Sequence, residues 1–333
     1  PQESAKTLGM TANCSGVRHV RMRILGIALL AAFALSAVGA GSALAKDKYG
    51  VNTWQQYKHC PLKYEGITDC FTGITNGGAQ GGYFQYGTVL TRLNKSITIQ
   101  GGFKGEENFI EVAAPEDGAN LLESPAEPIV TGLKVITPKI QEQANWPEAL
   151  KASFAEAVAN KETKAFATIE SAGNECTTVP GCIDTESLLF PTESPPAFRL
   201  ALKVKVTAPW LEKLGGGPCM IGSDENPIKQ NLVTAGAGNV GTSVTFNKLF
   251  TNTLVANSRL VDVKWHISKE QGAKGCGGSE YEAYVDKALN LALEVEFPAG
   301  GEVTGRRGVT VLTGNLHDGN SEAVGPALEE GAK

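Results

Sequence analysis

The sequence predicts a mainly β protein, an antiparallel β-sandwich-like architecture with one or two short helices. Three observations predict it. Apolar and polar residues alternate along several short segments, which gives each strand one dry face and one wet face. Clusters rich in Gly, Pro, Asn and Asp, such as "NGGAQGG", "PEDGAN" and "FPAGGEV", punctuate those segments. An even set of cysteines follows a secretory leader, as in disulfide-bonded exported modules.

The leader comes first in the chain. Residues 22–45, "MRILGIALLAAFALSAVGAGSALA", join Met22 and Arg23 to an apolar run and end in Ala43-Leu44-Ala45. That is the pattern of a signal peptide with an A-x-A cleavage site. A membrane-spanning helix needs roughly 20 strongly apolar residues, and Gly39, Gly41 and Ser42 dilute the end of this run. Cleavage after Ala45 is expected, with no stable membrane span afterwards. The expected location is secreted, extracellular or at the cell surface.

Beyond the leader lie Cys60, Cys70, Cys176, Cys182, Cys219 and Cys276. Proximity pairs Cys60 with Cys70, and Cys176 with Cys182 around "TTVPG". Of the 15 connectivities six cysteines allow, the expected set adds Cys219 with Cys276, both in glycine-rich surroundings. No C-x-x-C spacing occurs and His59 has no second histidine at ligand spacing, so no metal is expected.

Among the strands, "GGYFQYG" carries Tyr83, Phe84 and Tyr86, an aromatic cluster that could form a stacking platform for sugar. Period two puts Phe84 and Tyr86 on one face, as in a core strand. "SITIQ" (Ile97, Ile99) and "LKVIT" (Leu133, Val135) are weaker strand signals. A helix is predicted over 146–160. Asn145 is its expected N-cap, Glu148 completes a capping-box spacing, and Trp146, Leu150, Phe154 and Val158 form an apolar stripe.

"FRLALKVKV" is the clearest strand. Phe198, Leu200, Leu202, Val204 and Val206 share one face, and Arg199, Lys203 and Lys205 the other. "PWLEKLGGG" predicts a single helical turn opened by Pro209 and stopped at Gly215. "RLVDVKWHIS" alternates Val261, Val263, Trp265 and Ile267 with Asp262, Lys264 and His266. "SEYEAYVDKALN" has capping-box spacing between Ser279 and Glu282, yet runs without a breaker into the strand-like "LALEVEF" (Leu291, Leu293, Val295, Phe297). "TSVTF" (Val244, Phe246) and "GVTVLTG" (Val309, Val311) complete the strand set. The domain division expected is leader 1–45, a β-rich part 46–138, helix and β-rich part 139–317 (forming one domain or two with the preceding part), and a flexible tail 318–333.

Function classes are narrowed by exclusion. Residues 234–246 contain Gly236-x-Gly238-x-x-Gly241, the spacing of a dinucleotide-binding turn. That turn needs a helix directly behind it, whereas "TSVTF" is β-branched and alternating, so the glycines read as a loop and no cofactor is expected. Without the first 45 residues, which hold Lys6, Arg18, Arg21 and Arg23 against Glu3, 26 basic and 34 acidic residues remain, a net of −8. That balance excludes nucleic acid as the expected partner. His59, His266 and His317 read as surface or hydrogen-bonded histidines, His317 in a turn-like "HDG". No catalytic motif of local spacing is present.

The leading expectation is therefore a non-enzymatic binding or structural protein, with an envelope component or polysaccharide as partner. A polysaccharide hydrolase using a carboxylate pair is the first alternative, since such pairs meet only in the fold. The acidic "GSDENP" at Asp224 and Glu225 is the visible cluster of that kind. A subunit of an extracellular assembly is the second.

Overall fold

A computed structural model describes residues 55–76, 82–104, 111–113, 115, 121–172, 197–234, 247–250, 253–262, 264–295 and 307–331. Val51–Lys333 is one compact unit. The leader, Cys176, Cys182, Gly236, Gly238, Gly241, "TSVTF" and Phe297 lie outside the described residues.

The protein is mainly β, antiparallel and sandwich-like. The N-terminal half builds β1 (Ile67–Thr75), β2 (Gly82–Tyr86), β3 (Val89–Arg92) and β4 (Thr98–Lys104). Next come the short β5 (Glu111–Ala113), β6 (Leu122–Glu123) and β7 (Glu127–Pro128), then β8 (Phe166–Ser171) and β9 (Phe198–Thr207). The rest are β10 (Cys219–Ile221), β11 (Ile228–Leu232), β12 (Asn247–Phe250), β13 (Thr253–Asp262), β14 (Ala273–Lys274) and β15 (Gly308–Asn320).

Hydrogen bonding runs in the order β13-β15-β1-β4-β6-β8-β9, and β11 then pairs with β9. Just past β11, Val233 pairs with Val261 of β13, each N–H donating to the other's carbonyl at 2.9 Å. The circuit thus returns to its first strand, and the two layers of the sandwich join edge to edge as a flattened barrel. Its β1 and β2 segments lie end to end along β15, Thr75 opposite Gly314 and Gly82 opposite Leu312.

Side chains alternate accordingly. Phe71, Ile99, Phe103, Leu122, Ile169, Phe198, Leu200, Leu202, Ile228, Leu232, Leu260 and Leu312 fill the interior. Phe71 and Phe103 stack there at 4.5 Å. As the alternation predicts, Arg199 points out, with Lys203 and Lys205 half-buried beside it. Trp265 closes part of the interior by packing over Gly308, where a Cβ would stand 2.1 Å from the indole. Tyr86 packs against Trp265 at 5.3 Å, and its hydroxyl accepts from the Ile267 N–H at 3.3 Å.

A second core lies where β9 leaves the first. Val204 packs against both cores and Val206 belongs to the second. Here sit helices α1 (Pro138–Gln143), α2 (Glu148–Ala159), α3 (Pro209–Lys213) and α4 (Gly278–Ala292). Trp146, Phe154 and Trp210 pack mutually, Phe154 edge-on to both indoles at 5.5 and 4.8 Å. Each indole N–H finds an acceptor, Trp146 the Tyr284 carbonyl at 2.9 Å and Trp210 the Ser153 hydroxyl at 3.0 Å. The α3 turn is opened by Pro209 and followed by Gly215 at φ 72°, as expected.

Several expectations are corrected. Asn145 is not the N-cap of α2: it takes a left-handed φ of 57° just past the end of α1, and Pro147 holds the cap position. The apolar stripe of α2 is Leu150, Phe154 and Ala157, while Val158 is 39% exposed. "LKVIT" makes a 3-10 turn, Gly132–Val135, because Gly132 at φ 57° turns the chain so that the Leu133 N–H reaches the Thr163 carbonyl. Ser279 does not cap α4, whose N-cap is Gly277. "LALEVEF" is not a strand: α4 runs to Ala292, and Leu293 and Val295 bury themselves in the barrel core around Glu294 at φ 57°. β13 stops at Asp262, whose buried carboxylate accepts from the Asn231 and Lys264 N–H groups at 2.7 and 2.8 Å. "HDG" is not a turn, since His317 stands inside β15 opposite Thr72 and Val255. In the segment expected to fray, α5 (Ser321–Gly331) follows β15, and its Val324 is buried with Tyr57 and Cys70.

Replacing Gly308 with Ala forces a methyl into the Trp265 ring and is expected to cost on the order of 1–3 kcal/mol. Urea denaturation checks this, and an unchanged midpoint would contradict the packing of Trp265 on β15.

Candidate functional site

The aromatic cluster is divided by the pleat of β2. Tyr86 is buried, Phe84 packs against the barrel core, and Tyr83 stands half-buried on the outer face. A three-ring platform therefore does not form. What forms instead is a row across strands: Tyr83 lies between Arg92 of β3 and Val311 of β15, and Val311 lies opposite Val261, which pairs with Val233. Residues directly opposite in antiparallel strands share a face, so Val233, Val261, Val311, Tyr83 and Arg92 line up on the face turned away from the barrel core, where Val311 is itself buried at 6% exposure, Val233, Val261 and Tyr83 are half-buried and Arg92 is exposed. Four inter-strand steps make this row roughly 19 Å long. A parallel row holds Val309, the exposed Gln85 and the half-buried Leu90, and the Val130 N–H donates to the Leu90 carbonyl at 2.8 Å. Val130 is 60% exposed, the most exposed large apolar side chain among the described residues.

Of the expected disulfides, Cys60–Cys70 and Cys219–Cys276 are formed. The second staples two glycine loops. Gly216 and Gly278 pack backbone to backbone, with a Cβ on Gly216 falling 2.5 Å from the Gly278 nitrogen, so neither loop has room for a side chain at the crossing. Helix α4 then grips the strand beside the bridge through two side chains one turn apart. Asp286 accepts from the Cys276 and Gly275 N–H groups at 2.8 and 3.1 Å. Asn290 accepts from the Ala273 N–H at 2.6 Å and donates to its carbonyl at 3.2 Å. Asp286 was not visible in the sequence as a special residue, because its partners are backbone groups of a loop before its own helix. A capless, glycine-flanked cysteine just ahead of an Asp-bearing helix was the available signal.

The carboxylates carry different environments. Burial pushes Asp286 up to about 6, against the opposing pull of its two backbone hydrogen bonds. Asp69 is also raised by burial, with a Thr68 hydrogen bond acting the other way. Asp224 instead forms an ion pair with Lys203 at 2.9 Å on an exposed turn. Its neighbour Glu225 is held below the usual carboxylate range by its own backbone N–H and then by the Ser223 side chain. An acidic proton donor needs the opposite shift. His317, half-buried in β15, is lowered by desolvation, and His266 is exposed.

Among the described residues, no group of three His, Cys, Asp or Glu side chains is placed to hold a metal ion. A cavity of about 220 Å³ opens between the end of β9 and α3, lined in part by Lys205, Leu211, Glu212 and Pro218. It is smaller than the ~300–1,000 Å³ usual for small-molecule sites. No described helix is long and apolar enough to cross a membrane. No family model, no curated protein and no solved structure matches the chain.

The Asp286 clamp gives a signed pH dependence. Burial lifts its carboxyl to about 6 in the fold from an ordinary 3.8, so between about pH 4 and 6 the folded chain holds a proton that the unfolded chain has released. This contribution to stability falls as pH rises through that window. The stability difference between the parent chain and Asp286→Asn therefore moves against the parent from pH 4 to pH 7. Paired denaturation curves at the two pH values check the sign, and a difference that moves toward the parent would contradict the burial of Asp286.

Proposed function

We propose that this chain is exported and acts outside the cell or at its surface as a non-enzymatic binding or structural protein, with an envelope polysaccharide as its partner. The observation that carries the reading is the pair of disulfides. Cys60–Cys70 ties the N-terminal segment to the ring of strands, and Cys219–Cys276 ties two loops of the second core. Bonds of this kind persist in oxidising compartments. The A-x-A leader supports the same compartment.

Of the three aromatic residues, Tyr83 is the one available to a partner, while Phe84 and Tyr86 support the strand from inside. The acidic turn at Asp224 and Glu225 favours this reading over hydrolysis, since one carboxylate is neutralised by Lys203 and the other is held ionised.

The expected outcome with purified, oxidised protein and isolated cell envelopes is co-sedimentation without release of soluble sugar. Reducing-sugar release would replace the binding reading with a hydrolase. Absence from the pellet, together with a mass above that of a monomer in sedimentation velocity, would replace it with an assembly subunit.

A further inference from the structure

We propose that the seam of the barrel holds a bound water molecule, taken between the Trp265 indole N–H, the Gln230 side-chain carbonyl and the Thr310 hydroxyl. The site lies inside the ring of strands. It goes beyond the reading of the chain as a polysaccharide binder and does not depend on it.

Register brings the three groups together. Gln230 points inward between the buried Ile228 and Leu232 of β11. Its neighbour Asn231 donates to Asp262 Oδ2 at 2.7 Å, and Asp262 lies directly opposite Thr310 of β15. The other Asp262 oxygen accepts from the Lys264 N–H at 2.8 Å, and past this turn Lys264 faces out while Trp265 returns to the inside. Its indole then covers Gly308, where a Cβ would stand 2.1 Å from Cε2, the ring carbon bonded to Nε1. Gly308 and Thr310 are two residues apart on β15, so they share the inner face roughly 7 Å from one another. The three groups thus come from β11, β15 and the segment after β13, all of them around the Asp262 carboxylate.

Hydrogen-bond chemistry selects the ligand. Gln230, Trp265 and Thr310 are 2, 7 and 0% exposed, and Gln230 Oε1, Trp265 Nε1 and Thr310 Oγ1 have no hydrogen-bond partner among the described residues. Polar atoms buried this deeply are costly unless paired. The indole N–H only donates, the amide oxygen only accepts, and the hydroxyl does either. A cation here would meet the indole N–H, and an anion would meet the Asp262 carboxylate and the Gln230 carbonyl. Water is the smallest neutral molecule that accepts one hydrogen bond while donating two, and a buried water typically makes about three. Phe84, opposite Thr310, and Tyr86, packed on Trp265, make the neighbouring interior apolar.

The test is the nuclear Overhauser effect between water and the Trp265 indole proton in the isotope-labelled, disulfide-bonded chain, with the rotating-frame experiment separating dipolar contact from hydrogen exchange. Trp265→Phe identifies the resonance. The expected result is a dipolar cross-peak with the sign of water that tumbles with the protein. It persists in Thr310→Val, which excludes relay through the threonine's own hydroxyl, and is lost when Gln230→Met and Thr310→Val are combined. Near-ultraviolet circular dichroism of each variant, matched to the parent, keeps folding out of the comparison. A crystal structure of the parent chain gives a readout that needs no variant: a water within hydrogen-bond distance of all three atoms supports the site, and a direct hydrogen bond from Trp265 to Gln230 or Thr310 overturns it. Absence of the dipolar peak, its loss in Thr310→Val alone, or its persistence in the doubly substituted chain overturns the site as well.

Discussion

The pairing of Val233 with Val261 is the contact on which the arrangement depends. Without it β11 and the Val261 end of β13, beyond the part that β12 covers, would be open edges presenting unpaired backbone groups. With it the strand circuit closes, and one rule then governs every strand in the ring: alternate residues face a common dry interior. The burial of Leu232, Leu260 and Leu312 at 0, 8 and 3% exposure follows from that closure, as does the outward row that ends at Tyr83 and Arg92. Closure also explains why Asp262 can be buried so near the seam. Its carboxylate satisfies the Asn231 and Lys264 N–H groups where β11 and β13 meet, so the charge stands in place of ladder hydrogen bonds.

The second core depends on a different device. Strand β9 is long enough to serve both cores, and beyond Val204 it passes under helices instead of another layer of strands. Helices need their backbone ends and indole N–H groups satisfied, and here carbonyls and hydroxyls from neighbouring segments do so at Trp146 and Trp210. The Cys219–Cys276 bridge and the Asp286 and Asn290 side chains then hold the glycine loops to α4. Asp286 meets a conflict there: it accepts two backbone hydrogen bonds, yet burial raises it enough that it titrates near 6.

Much of this was legible from residue order. Strand β9 was readable because five apolar residues alternate without interruption, and the expected Cys60–Cys70 and Cys219–Cys276 pairings, the first by proximity and the second by its glycine-rich surroundings, are the ones formed. Misreadings arose where tertiary contacts overrode a local pattern. "LALEVEF" alternates like a strand, but Ala288, Leu289 and Leu291 already face the second core from α4, so the helix continues through its first residues. Asn145 has N-cap chemistry, yet the same side-chain type tolerates the left-handed conformation that ends α1. For the candidate site, period two correctly separated Phe84 and Tyr86 from Tyr83, whereas the rest of the row was invisible. Its five members come from β3, β2, β15, β13 and the end of β11, and no spacing along one chain records a register between strands.

Closure of the ring is best tested by amide hydrogen exchange at Val233 and Val261, followed by NMR. A closed circuit predicts that both N–H groups are protected to the same degree as those at the centre of the β13 and β15 ladder, and that they exchange together. Fast exchange of Val233 and Val261 with the β13 and β15 ladder still protected would mean an open sheet. The row from Val233 to Arg92 would then lose its first member and its continuity with β11.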